Sequence, residues 1–447
     1  MAESNAAHGS SKPRLSLPRI LEMNLGFLGL QFSFGLQQAN MSPIYKYLGA
    51  RDAQLSWLDI AGPLTGLLVQ PVIGVLSDRT GGRWGRRTPY FLAGAVMCAL
   101  GLLLMPLSNA LIMAFSLLFL LDVGNNVTME PYRAYVNDRL APEQRGIGFL
   151  SQSGFTGLSQ TLAYLMPSIL LGLGMHIDSK VGHIPLFVLV SFWFGALLAL
   201  STIVWSVMRV PELPLSTGEQ ARIAALPRNP LAVFSEIWGA VKDMPGPMRT
   251  MAGMSLFQWY AMKIYWNYGF PTIARGVFHA TDPATEGYAR AQVYYGQVGA
   301  AANATAFVSA FLMPPVARKF GASRLHAACL TVMAGGMALF PLAHDTTAPF
   351  LAAVGIGIGW GSIMGNPYIV LADSIPPERT GVYMGLFNVM ICAPMLLNSF
   401  TMPWLFGPLL GNSSGHAMDF AAILMLCAAA TMFLVKERDR DVRLAPA

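Results

Sequence analysis

Apolar positions along this chain do not form the short stripes of amphipathic helices. They form long runs of about twenty residues, the length an α-helix needs to cross the hydrocarbon core of a bilayer. Twelve runs are read from the 447 residues: 20–44, 55–77, 89–108, 111–136, 147–173, 184–208, 248–272, 291–315, 323–342, 349–372, 381–404 and 418–435. The pattern predicts an all-α integral membrane protein of twelve transmembrane helices. Its organisation is a polar segment 1–19, a six-helix half 20–208, a polar, proline-rich connection 209–247, a second six-helix half 248–435, and a tail 436–447.

Composition agrees. The chain is 54% hydrophobic and only 12% charged, against about 25% charged in soluble domains. Of its Lys and Arg residues, twenty-two fall on the side of the predicted loops that holds both ends and five on the other. Positive loops stay inside, so both termini are expected in the cytoplasm, and the net charge of +6 reflects membrane anchoring, not nucleic-acid affinity. Cys98, Cys329, Cys392 and Cys427 lie in predicted helices without pairing or ligand spacing, so neither disulfide nor metal site is expected. The first nineteen residues lack the apolar core of a signal peptide, and the first helix is expected to direct insertion.

Against this background the fourth run is anomalous, because it carries Asp122, Asn125, Asn126, Glu130 and Arg133 inside the span. Ionisable groups in hydrocarbon are costly and usually mark an ion or substrate path. Eleven helical steps make roughly 1100°, about 20° from three whole turns, so Asp122 and Arg133 share a face. They lie about 16 Å apart along the axis, too far for one ion pair, and separate roles are expected. Glu130 stands three residues before Arg133, the spacing of an intrahelical pair. Lys263, in the seventh run, lies at a depth similar to that of Asp122, so the two are expected to face each other across a central cleft.

The halves repeat. Pro131-Tyr132 with Asp138, Pro142, Glu143, Arg145 and Gly146 is answered by Pro367-Tyr368 with Asp373, Pro377, Glu378, Arg379 and Gly381. Repeated membrane halves belong to transporters that rock about a midplane site. After the second run, Asp78, Arg79, Arg86 and Arg87 sit in a glycine-rich loop where Asp78 is expected to pair with the arginines or with helix N-terminal amides, latching that face of the bundle. No phosphate-binding loop, metal cluster or nucleophile with a base is present, so no enzyme and no cofactor is expected.

Taken together, Gly62-Pro-Leu-Thr-Gly-Leu-Leu-Val-Gln-Pro71, the Asp78 to Arg87 loop and Leu121-Asp122-Val-Gly-Asn125-Asn126 with Pro131 and Arg133 resemble the major facilitator superfamily. Within it they are similar to the proton-coupled sucrose and maltose transporters, adjoining the glycoside, pentoside and hexuronide cation symporters. The resemblance covers nearly the whole chain and implies two pseudo-symmetric six-helix halves. It also implies that Asp122 is the proton-coupling carboxylate that touches sugar, and that Arg133 is needed for transport. One departure is plain: where the family's seventh helix has acidic residues before a tryptophan, this chain has Lys263-Ile-Tyr265-Trp266.

Sugar recognition needs amides and carboxylates for hydroxyls and aromatic faces for the ring. Gln37, Asp59, Asn126, Lys263, Trp266 and Asn303 are the candidates beside Asp122 and Arg133, with Gln31, Gln38, Asn40, Gln152, Gln160, Tyr265, Trp360, Asn366 and Asn388 as further polar or aromatic positions in the runs. The resulting expectation is a monomeric inner-membrane symporter of a disaccharide or glucoside with a proton. A transporter of an anionic sugar such as a uronide, with Lys263 as counter-charge, and a transporter-like sugar sensor remain open at this point.

Overall fold

The structure, a computed structural model, describes residues 12–81, 84–215, 218, 221, 223, 235, 238, 239, 241–374 and 380–435. The first half runs α1 (Leu17–Tyr47), α2 (Leu55–Leu58), α3 (Ala61–Arg79), α4 (Thr88–Leu104), α5 (Leu111–Arg139), α6 (Arg145–Gly172) and α7 (Leu186–Arg209). The second runs α8 (Gly246–Gly276), α9 (Glu286–Phe320), α10 (Ala322–Leu339), α11 (Ala348–Ile363), α12 (Asn366–Ser374), α13 (Thr380–Leu405) and α14 (Ser414–Phe433). A short antiparallel ribbon, β1 (Lys180–Val181) with β2 (Ile184–Pro185), joins α6 to α7.

Eight of these helical stretches are long and apolar enough to cross a membrane by length and composition alone. The spans formed by α1, α6, α8 and α10 complete the twelve. They are less apolar because they turn polar side chains inward: Asn24, Gln31, Gln37 and Asn40 on α1, Gln152 and Gln160 on α6, Gln258, Lys263 and Asn267 on α8, and His326 on α10 are all buried. Such side chains lie in the bundle because hydrocarbon offers them no partner.

Spans two and ten are broken. The second divides into α2 and α3 at Asp59–Ile60, and the tenth into α11 and α12 at Met364–Gly365. The continuous apolar run 349–372 predicted one helix; Gly365 and Pro367 interrupt it, since proline disfavours a helical residue before it and supplies no amide hydrogen. The ninth helix, conversely, extends beyond its predicted run 291–315 at both ends. At its start the Thr285 side chain accepts from the Tyr288 amide.

Packing between the halves pairs α6 with α9 and α3 with α13. In span numbers these are five with eight and two with eleven, and advancing each by six exchanges them, as a pseudo-twofold axis requires. Glycines permit the closest approaches. A Cβ on Gly124 would lie 2.8 Å from the Cys98 amide nitrogen, and one on Gly296 would lie 2.5 Å from the Tyr164 carbonyl oxygen. The first contact presses α5 onto α4 and fixes the helix that carries Asp122; the second seats α9 against α6 across the halves.

Hydrogen bonds and ion pairs join the halves on the distal face, opposite the terminal face where α1 begins and α14 ends. Asp52 accepts from Arg275 at 2.5 Å while also pairing with Lys46 at 2.6 Å. Tyr47 donates to Gln292, which donates to Asn40, and Ser42 donates to the Asn267 carbonyl. This state is closed on the distal face.

Candidate functional site

The α5 stripe divides into two environments along its axis. Asp122 is only 1% exposed. Its Oδ1 accepts from Gln37 Nε2 at 2.6 Å, and Gln37 Oε1 in turn accepts from Asn125. Its Oδ2 is buried without a hydrogen-bond partner and lies over Gly62 of α3. Asn126 spans the α3–α5 contact: it donates to Thr65 at 2.9 Å and to the Asp122 carbonyl, and accepts from Gln70 at 2.5 Å. Arg133, nearer the terminal face, has a side chain 50% exposed and contacts Glu130 at 3.5 Å, a marginal pair. Asp122 and Arg133 thus belong to separate clusters on one helix.

Lys263, expected to face Asp122 across the cleft, takes Asp59 as its ion-pair partner. Lys263, 1% exposed, donates to both the carboxylate and the backbone carbonyl of Asp59. Equal depth placed Lys263 level with Asp122, but the helix break after α2 presents both Asp59 acceptors to α8. Asp122 lies over Gly62, three residues from Asp59, so the Lys263–Asp59 pair and Asp122 adjoin at the interface between the halves. One carboxylate balances the ammonium and leaves Asp122 outside the pair.

A small cavity lies between the halves, lined by Trp266, Trp360, Tyr265, Tyr164, Gln38 and Asn303 among others. Trp259, Trp266 and Trp360 pack mutually, with ring centroids 5.8–6.4 Å apart. The Asn303 side chain donates to the Gly299 carbonyl at 3.0 Å. Aromatic rings and polar side chains converge on it, as they do in small-molecule sites.

At the terminal face the loop after α3 ties the first half to itself. Arg87 donates to Asp78 at 2.6 Å, to Asp138 at 2.8 Å and to Ser77 at 2.6 Å, and Arg86 reaches Asp78 at 3.3 Å. Arg79 stays apart from this cluster, with a buried, unpartnered Nη1. Glu143 pairs only loosely with Arg14, at 3.9 Å, and Arg145 has a buried, unpartnered Nε. Asp373 lies in α12; Glu378 and Arg379 lie outside the described residues. The helix N-terminal amides are taken not by Asp78 but by Glu212, a residue the sequence did not single out. Its carboxylate accepts from the Arg86, Arg87 and Thr88 amides at 2.6–2.9 Å and from the Thr88 hydroxyl.

A carboxylate on three amides at a helix start is both a cap and a partner for the helix dipole. Glu212→Ala is therefore expected to cost about 1–2 kcal/mol, seen as a lower midpoint in thermal unfolding of the detergent-purified protein, with Glu212→Gln, which keeps an acceptor, falling between. Equal midpoints for wild type and Glu212→Ala would mean that the contact contributes nothing. The available signal was its place directly after a span, joined by Pro211 to a basic loop.

Comparison with known proteins gives the same architecture. The family model described as Major Facilitator Superfamily matches residues 23–399. The sucrose transport protein SUC4 of Arabidopsis thaliana is 25% identical, covering 92% of this chain and 90% of its own length. A general alpha-glucoside permease of Schizosaccharomyces pombe is 27% identical over 48% of this chain and 39% of its own. Among solved structures, the nucleoside transporter NupG superposes with a TM-score of 0.70 at 13% identity, covering 94% of this chain and all of its own. A bacterial homologue of the lysosomal transporter Spinster, in an inward-facing state, superposes with a TM-score of 0.65 at 15% identity, covering 94% and 96%. With its model spanning most of the chain, the protein belongs to the Major Facilitator Superfamily, as a multi-pass membrane transporter and not an enzyme.

Proposed function

We propose that the chain imports a neutral disaccharide or glucoside together with a proton by alternating access between the halves 20–208 and 248–435, with both ends cytoplasmic and the polypeptide acting as a monomer in an inner (plasma) membrane. The observation that carries the reading is the environment of Asp122. One oxygen is held by an amide donor and the other is buried and bare, so a proton can be taken up on the free oxygen without breaking a bond. The adjoining pair of Lys263 with Asp59 is already neutral as a unit. Protonated Asp122 and a neutral sugar therefore cross without net buried charge, and the empty carrier with ionised Asp122 differs by that one charge.

Aromatic faces at Trp266 and Trp360 suit the apolar side of a pyranose, and Gln38 and Asn303 suit its hydroxyls. Sucrose and glucoside transport by the similar proteins supports this assignment. A uronide is disfavoured because the nearby cation is engaged by Asp59. With α1 beginning on the cytoplasmic side, the closed distal face is the outer one, and Arg133 with Glu130 lies on the inner part of the path.

The test is uptake of radiolabelled sucrose and maltose into proteoliposomes under an inward proton gradient, with unlabelled competitors. Accumulation above equilibrium that is suppressed by neutral glucosides and indifferent to glucuronate is the expected result. Stronger competition by glucuronate would overturn the neutral-sugar reading, and gradient-independent equilibration would overturn the symport.

A further inference from the structure

The second half encloses a histidine that the mechanism above does not use. His326 of α10 has no exposed surface, and both ring nitrogens are engaged: Nε2 stands 3.0 Å from Gln258 Oε1 on α8, and Nδ1 stands 2.8 Å from Ser362 Oγ on α11. A carboxamide oxygen only accepts, so Nε2 carries the hydrogen and Nδ1 accepts from the Ser362 hydroxyl. Ser362 Oγ itself accepts from Asn366 Nδ2 at 2.7 Å, at the start of α12. Direction is thereby set along the whole chain, from Asn366 through Ser362 and His326 to Gln258.

Each end of this chain adjoins a different part of the transporter. Gln258 precedes Trp259, whose ring packs on Trp266 and Trp360. Ser362 follows Trp360 by two residues and stands two residues before the break at Met364–Gly365, beyond which Asn366 opens α12. The imidazole thus clamps α8 and α11 on either side of the tryptophan wall, and it does so at the joint of span ten.

We propose that His326 is a positioning residue for sugar affinity: through Gln258 and Ser362 it holds Trp259 and Trp360 in register and fixes the α11–α12 break relative to the pocket. It touches no sugar itself. The inference rests on the aromatic cavity being the sugar site.

Removing the imidazole leaves a buried carboxamide oxygen without its donor and a buried hydroxyl hydrogen without its acceptor, a loss equivalent to about a tenfold change in affinity. His326→Leu is accordingly expected to raise the half-saturating sucrose or maltose concentration about tenfold, read by intrinsic tryptophan fluorescence of the purified full-length protein and as KM in proteoliposome uptake, with kcat changed much less. His326→Gln keeps a donor toward Gln258 and an acceptor toward Ser362, and is expected to recover most of the lost affinity.

A space-filling role predicts the opposite order, with leucine tolerated at least as well as glutamine; that order, or wild-type affinity in His326→Leu, overturns the proposal. Where His326→Leu yields no folded protein, Ser362→Ala deletes only the hydroxyl between His326 and Asn366 and is expected to raise KM severalfold; an unchanged KM there also overturns it. Absence of sugar binding by the wild type removes the proposed function itself, whereas wild-type binding with unaltered variants removes only the role of His326.

Discussion

Asp122→Asn abolishes gradient-driven sugar accumulation while leaving equilibrium exchange within severalfold of wild type: this is the expected result in proteoliposomes. Asparagine keeps the side-chain shape and an acceptor for Gln37 Nε2, which donates to Oδ1 at 2.6 Å in the wild type. Its amide replaces the bare Oδ2 with a permanent donor, so the variant imitates the protonated carrier and cannot release or take up a proton. One pH unit is worth about 1.4 kcal/mol, which at one proton per sugar supports about tenfold accumulation. Wild type should reach that ratio under a one-unit inward gradient and Asp122→Asn should stay at a ratio of one. The exchange arm separates loss of coupling from loss of binding, because sugar still enters and leaves through the same pocket. Accumulation by Asp122→Asn equal to that of wild type would sink the assignment of the proton to this carboxylate.

The fold was legible because hydrocarbon imposes a length. Twelve runs near twenty residues are twelve membrane helices, and the repeated Pro-Tyr and acidic-basic signatures after spans four and ten marked the halves. Breaks were less legible: run 349–372 is apolar throughout, and the interruption at Met364–Gly365 depends on Gly365 and Pro367, whereas Pro131 and Pro271 lie inside helices that stay intact.

Within the site, Asp122 stood out because a carboxylate in a span is expensive, but its surroundings did not. Depth along an axis fixes height and leaves azimuth free, so it set Lys263 level with Asp122 without naming Asp59 as its partner. Glu212 went unnoticed because a carboxylate in a loop reads as solvated, whereas its value lies in three amides of a helix it does not belong to. His326 went unnoticed because it stands near the start of its span beside Arg324, where a polar side chain suggests the membrane surface, yet it is wholly enclosed.

The pairing of Lys263 with Asp59 yields the second large effect. Breaking a buried ion pair leaves one uncompensated charge and costs about 3–5 kcal/mol, whereas replacing both partners by neutral groups is often nearly neutral. Asp59→Asn strands the ammonium near Asp122, which lies over Gly62, three residues from Asp59. A lysine drawn to Asp122 occupies the carboxylate that has to exchange the proton, so proton-driven uptake is expected to fall more than tenfold in this variant. Lys263→Met strands Asp59 instead, placing two carboxylates near each other without a cation, and a comparable fall is expected.

The double variant Asp59→Asn/Lys263→Met removes both charges together and is expected to recover accumulation at least severalfold over either single variant, since Asp122 is then left to exchange its proton alone. That ordering, with both singles poor and the double better, is the signature of charge balance. A double variant as inactive as the worse single would instead assign one of the two side chains a direct part in binding sugar, and sugar affinity measured in each single variant would identify which.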